Sequence, residues 1–311
     1  MNTMPYFDAH CDTLSRCLEQ DACLWENDGQ LDLKRLGRFP RRGQIFAIYH
    51  DSAVSVEGGL FAVCRRQQQL FDRFCKNHAN VMCQCRTGGD IDATVAAGKL
   101  AAVLSVEGGE LLDCDPHKLD WAREVGVRCV NPTWNHANAL SGSNVEDRDR
   151  GLSDVGREFV RLAQQHNILL DVSHLSDPGF WDLVDITQKP IVATHSNART
   201  LCDHTRNLTD DMFRAIVATG GVVGINFWVR FVRDTPQPTM DDLIAHIDHF
   251  MDLGGAKHLC LGGDLDGCDV LAGGMTGVQD VPRLWQALAD RGYGERELED
   301  LFFHNLRRVL E

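Results

Sequence analysis

The chain lacks nearly every feature that would send it to a membrane, a nucleic acid or a disulfide framework. No apolar run approaches the roughly 18 residues that a bilayer-spanning helix requires. The opening MNTMPYFDAHCD has no apolar signal-peptide core, and the closing LFFHNLRRVLE has no hydrophobic lipid-anchor tail. Bases are outnumbered, with 31 Lys and Arg against 45 Asp and Glu and a net charge of −14. No cationic excess is left to neutralise phosphates, which argues against a nucleic-acid partner. Twelve cysteines are present, but no C-x-x-C occurs, and the closest pair, Cys83 and Cys85, is separated by one residue. That spacing supports neither a zinc ribbon nor a disulfide framework. The expectation is a cytoplasmic protein with reduced thiols, many of them buried as small apolar side chains. Walker, G-x-G-x-x-G and G-x-S-x-G motifs are also missing, so nucleotide binding and serine-hydrolase chemistry have no motif.

What the chain does have is a repeated grammar. With 43% hydrophobic and 24% charged residues it reads as an ordinary globular protein with ample core. Eight apolar runs, at 6–9, 44–49, 100–106, 127–133, 168–173, 190–194, 221–227 and 258–263, are expected as strands. Most are continuously apolar rather than alternating, as in parallel strands covered on both faces. Helical patterns fill the gaps. In DVGREFVRLAQQHN, the residues Val155, Phe159, Leu162 and Ala163 mark one buried face, with Ser153 or Asp154 as cap. Thr209 and Thr239 open two more helices; on the second, His246 and His249 are read as solvated. Eight strands alternating with helices, without a linker-like break, predict an α/β fold: one (β/α)₈ barrel spanning 1–311.

Five metal-type side chains follow such runs: His10 and Asp12 in FDAHCD, Glu107 in AAVLSVEGG, His174 in ILLDVSH and His195 in IVATHS. In isolation Glu107 reads as a solvated strand end, and each histidine as a core or rim residue. Together they would meet at one barrel mouth, because the carboxyl ends of parallel strands converge there. Three imidazoles and two carboxylates suit two divalent cations of the zinc type, which predicts a binuclear metallohydrolase. His-x-Asp on a strand puts both side chains on one face. Asp264, in LCLGGDLDG, is either a turn acid or a proton acceptor for a metal-bound water; Asp266 fits the turn reading.

These residues, in this order, resemble the membrane (renal) dipeptidase family of zinc peptidases. The likeness runs from DAHCD to NLRRVL and includes SVEGG, DVSH, THSNAR, RNL at Arg206 and GGDLDG. It implies two zinc ions bridged by Glu107, one also held by His10 and Asp12 and the other by His174 and His195. It further implies that Arg206 holds the terminal carboxylate of a dipeptide substrate, a task suited to a planar fork of donors. A homodimer is consistent with the likeness, as is a D-residue at the substrate's carboxyl end. The chain departs from the family twice. Trp134, in NPTWNHAN, stands where many members carry a histidine thought to assist at the scissile carbonyl, and His136 is a candidate to reach in from the loop. Trp228 stands where a tyrosine often follows Asn-Phe. Both bear on carbonyl stabilisation and substrate range. The alternatives are another binuclear barrel hydrolase, acting on lactones, phosphoesters or amidohydrolase substrates, and a catalytically lapsed metal or peptide binder.

Overall fold

A computed structural model describes residues 4–311. Among the described residues nine strands occur in the order β1 Tyr6–Asp8, β2 Arg42–Ile48, β3 Met82–Gln84, β4 Leu100–Glu107, β5 Val127–Asn131, β6 Leu169–Asp171, β7 Ile191–Ala193, β8 Val222–Ile225 and β9 Leu259–Leu261. All pairings between them are parallel, and eight close into a ring in which β2 pairs β4 and β9 returns to β1. This is the (β/α)₈ barrel. The eight expected strands are these eight, with ends shifted by a few residues. β3 was not expected. It pairs with the start of β4, Met82 opposite Leu100, on the edge that β5 takes over from Leu104 onward. Three residues, one of them an exposed cysteine, carry no periodicity to detect.

Strand alternation divides the core in two. Tyr6, Phe46, Leu104 and Val130 face outward and pack with the helical shell. Phe7, Ile45, Val103, Cys129, Val192, Val222 and Cys260 fill the barrel interior. The terminal helix Asn305–Val309 closes the amino-terminal end of the barrel, where Phe303, Leu306, Val309 and Leu310 join that interior cluster. Each such side chain contributes about 1.5–3 kcal/mol on burial. With the lower end of the barrel interior sealed by apolar side chains, the interior opens to polar side chains at the opposite mouth.

Helix starts follow local capping. Ser153, Thr209 and Thr239 each accept a backbone N–H through the side chain, and Thr239 with Asp242 forms a full capping box. Two expectations need correction. The helix Asp154–Gln165 buries Phe159, Val160 and Ala163, while Val155 is exposed and Leu162 only half-buried, so its inner face is rotated. His246 is fully buried rather than solvated: Nδ1 accepts from Ala198 N (3.1 Å), and Nε2 lies 2.7 Å from the Val232 carbonyl. His249 is half-buried against Asp210. Apolar periodicity cannot register a histidine buried for its hydrogen bonds. All twelve cysteines are free, eight of them buried. Among the described residues no helix is long and apolar enough to cross a membrane.

Candidate metal centre at the barrel mouth

Glu107 is the last residue of β4, and Gly108 after it adopts φ +111°, a conformation that side-chain-bearing residues rarely adopt. His10 lies two residues past β1, His174 three past β6 and His195 two past β7. Asp12 is not on a strand: it is the capping residue of the helix Thr13–Gln20, so His10 and Asp12 converge through a loop rather than through the pleat.

The structure brings the five together around Glu107. His10 Nε2 lies 3.5 Å from Glu107 Oε2 and 3.6 Å from Asp12 Oδ2. The other oxygen, Glu107 Oε1, lies 2.8 Å from His174 Nε2 and 3.4 Å from His195 Nε2. One carboxylate therefore belongs to two triads, His10–Asp12–Glu107 and Glu107–His174–His195, each compact enough to surround an ion.

Hydrogen bonds outside the cluster set the imidazole tautomers. Thr194 Oγ1 donates its one proton to Asp171, so at 2.8 Å it must accept from His195 Nδ1. Asn135 Oδ1, 3.0 Å away, does the same for His174 Nδ1. Both Nε2 atoms then present lone pairs, 3.0 Å apart. His10 Nε2 and Asp12 Oδ1 are buried without a hydrogen-bond partner. Converging lone pairs and orphaned buried polar atoms are what a cation would satisfy, so the residues present fit divalent ions.

The electrostatics agree. Burial, with Arg206 and His10 adding, pushes His174 and His195 well below the ordinary histidine range and keeps them neutral. Burial also lowers His10, but Glu107, Asp12 and Asp264 outweigh it and raise that ring to about 10. Glu107 is raised well above a normal carboxylate by burial, with Asp12 and Asp264 adding. The cavity holds more negative charge than its own side chains offset, and bound cations would relieve it.

Asp264 stands across the mouth at φ +57°, its Oδ1 3.9 Å from His10 Nε2 and its Oδ2 accepting from Asn226 Nδ2 at 3.1 Å. Burial raises its pKa. Gly267 lies directly behind: a Cβ there would fall 2.2 Å from Asp12 Oδ2 and 2.4 Å from Asp264 Oδ1. Asp266 ties the mouth to the 27–31 loop, accepting from Thr13 Oγ1 and Gln30 N, both at 2.7 Å. Arg206 is buried, donates to the Ser173 carbonyl, and brings Nη2 to 3.0 Å from His174 Nε2. Burial pulls its pKa down to about 10.

The cavity over these groups measures about 280 Å³, with Tyr49, Trp134, Trp228 and Phe231 among its walls. Trp134 stacks obliquely on Tyr49, ring centres 4.9 Å apart, and Trp228 is fixed through Nε1 to Asp269 (2.8 Å). His136 does not reach in. Its ring lies between Asp51 and Glu146, at 3.2 and 3.3 Å, and is not part of the cavity wall. Sequence reasoning missed the buried asparagines. The Asn197 side chain donates to the Asn226 carbonyl and accepts from Asn226 N, Asn207 accepts from Asn197 N, and Asn226 holds Asp264. The available signal was an Asn closing an apolar run in VVGIN and following the metal-type histidine in THSN.

A parallel barrel with an imidazole–carboxylate cluster at its carboxyl-terminal mouth is the architecture of a metallohydrolase. The particular family follows from the chain itself: it belongs to the membrane dipeptidase family (peptidase family M19), whose model matches residues 1–311. A Klebsiella pneumoniae protein, described as an uncharacterized protein in the pqqA 5' region, is 34% identical over 271 residues, covering 83% of this chain and 98% of the relative. The Rhodobacter sphaeroides metallopeptidase solved with a phosphinate mimic of the dipeptide L-Ala-D-Ala superposes with a TM-score of 0.91 at 28% identity, covering 99% of each chain. A dipeptidase of family M19 gives the same TM-score at 29% identity, covering all of this chain and 98% of its own.

Proposed function

We propose that this protein is a metal-dependent dipeptidase, one catalytic unit over the whole chain, acting on short peptides with a free carboxyl end. The observation that carries the reading is Glu107 shared between two triads. In this reading His10, Asp12 and Glu107 hold one divalent ion of the zinc type, and Glu107, His174 and His195 hold a second. Bound there, such ions polarise a carbonyl and lower the pKa of water from about 16 toward 7.

The chain's own groups supply the rest. Attack of water on the scissile carbonyl carbon releases one proton, and cleavage of the C–N bond requires one on the departing amine. Asp264, raised by burial and oriented by Asn226, takes the first and returns it to the second. Arg206 binds the substrate carboxylate, which restricts substrates to lengths that place a terminal charge at that depth. Trp134 and Trp228 line the side-chain pockets, so in this chain a tryptophan takes the place from which a histidine would address the carbonyl. A cavity of about 280 Å³ suits a ligand of two residues rather than an extended chain. The bound mimic in the Rhodobacter relative supports including dipeptides with a D-residue at the carboxyl end. Twelve free thiols fit a cytoplasmic setting.

The test is amino-acid release from a panel of L,L- and L,D-dipeptides by zinc-reconstituted protein, with His195→Ala as control. Release that disappears in the variant supports the reading. Uncleaved dipeptide on fully metal-loaded protein would replace it with the binding-protein alternative.

A further inference from the structure

At the opposite end of the barrel, a second cavity of about 220 Å³ opens beside the terminal helix, between the starts of β5, β6 and β7. Arg128, Lys189 and Arg308 line it over an apolar floor of Ile168, Leu170 and Val309. Three cations around one cavity are out of keeping with a chain of net charge −14. Among the described residues none of the three has a carboxylate side chain within 4.0 Å, although ion pairs are frequent elsewhere on the surface. Glu311 also lines the cavity, but its carboxylate is taken by Arg307 at 2.8 Å. Arg308 and Lys189 donate only to neutral acceptors. Arg308 bonds the Gly220 and Lys257 carbonyls (both 2.7 Å), and Lys189 bonds the Gln164 carbonyl (2.6 Å) and Asn167. Arg128 makes one long contact, 3.3 Å, to the main-chain oxygen of Glu311, the last described residue. The Nε atoms of Arg128 and Arg308 are both buried without a partner.

We infer that this cavity binds a small phosphate-type oxyanion, held by the Arg128 and Arg308 guanidinium groups and by the Lys189 ammonium. Guanidinium groups match tetrahedral oxyanions in fork geometry, and an apolar floor strengthens the attraction by excluding water. Seated there, the anion would tie the terminal helix to β5 and β7. The rival account is structural: Lys189 and Arg308 cap the carboxyl ends of neighbouring helices, as cations commonly do. Capping does not explain the two unpartnered Nε atoms.

Isothermal titration of the metal-loaded protein with inorganic phosphate, at constant ionic strength, tests the site. Arg128→Gln is the informative variant because it removes a charge at the cost of one weak contact, and Lys189→Gln is the second. The expected result is saturable phosphate binding, weakened about tenfold or more by Arg128→Gln, with dipeptide turnover in chloride buffer unchanged. Glycerol phosphate run in parallel identifies the source: tighter binding than inorganic phosphate points to a phosphorylated metabolite, equal or weaker binding to the free ion. Phosphate binding that neither substitution alters would locate the anion at the metal centre and overturn the proposal. No saturable binding at all would overturn it too.

Discussion

Replacing Gly267 with alanine should disable the metal mouth while leaving the barrel folded. Gly267 has an ordinary backbone conformation, so alanine brings no φ strain; its effect is steric alone. The new methyl would start 2.2 Å from Asp12 Oδ2 and 2.4 Å from Asp264 Oδ1. Reaching 3.0 Å, the least separation real Cβ atoms keep, requires shifts of about 0.8 and 0.6 Å, beyond the roughly 0.5 Å tolerance of a preorganised site. Misplacement on this scale costs about 10²-fold in rate. Overpacking of one methyl group costs about 1–3 kcal/mol in stability, which a barrel of this size survives. The assay is kcat/KM on the best dipeptide, with metal content by atomic emission and unfolding in urea. Gly89→Ala is the control: it lies in the helix Gly88–Ala96, its Cβ would sit 3.7 Å from Thr87 Oγ1, and its kinetics should not change. If Gly267→Ala kept normal turnover and full metal content, the two carboxylates could not be working where they are placed here.

Four further outcomes are expected. Asp264→Asn should retain its metal and lower kcat by about 10²–10⁴-fold, the usual worth of a positioned proton acceptor; near-normal turnover would remove Asp264 from the mechanism. Arg206→Ala should lower kcat/KM for free dipeptides by about 10–100-fold and erase the preference over their carboxyl-terminal amides, a comparison that separates carboxylate binding from general damage. Thr194→Val deletes the acceptor for His195 Nδ1 and should weaken metal affinity by about 10–100-fold, measurable by competition with a chelator. Burial holds the His246 pKa below 6.5 in the folded chain, so on acidification the unfolded chain takes up that proton first. Its contribution is complete above pH 6.5 and is lost as pH falls below that value. Urea unfolding at pH 7.5 and 5.5 should show a smaller pH-dependent loss for His246→Gln than for the parent protein.

The strand–helix rhythm and the metal-type side chains were legible in the sequence because each rests on local chemistry. A strand covered on both faces must be apolar throughout, and a side chain that follows it must emerge at the strand's carboxyl end. Eight such runs therefore announced both the barrel and the mouth at which His10, Asp12, Glu107, His174 and His195 meet. Ser153, Thr209 and Thr239 were legible as caps for the same reason, since a cap and its N–H partners lie within one turn.

Other features depended on contacts between segments far apart in the chain. Three residues suffice for β3 only because Leu100 offers an open edge. His246 looks like a surface histidine until the chain folds Ala198 and Val232 against it. His136, two residues from Trp134, faces away from the cavity because Asp51 and Glu146 hold it. The Asn197–Asn207–Asn226 network and the Asp171–Thr194–His195 chain form across loops whose sequences carry no periodic signal. The types of side chain available to the site were written locally along the chain. Which oxygen faces which nitrogen, and which tautomer each ring adopts, was decided by long-range hydrogen bonds that exist only once the barrel has closed.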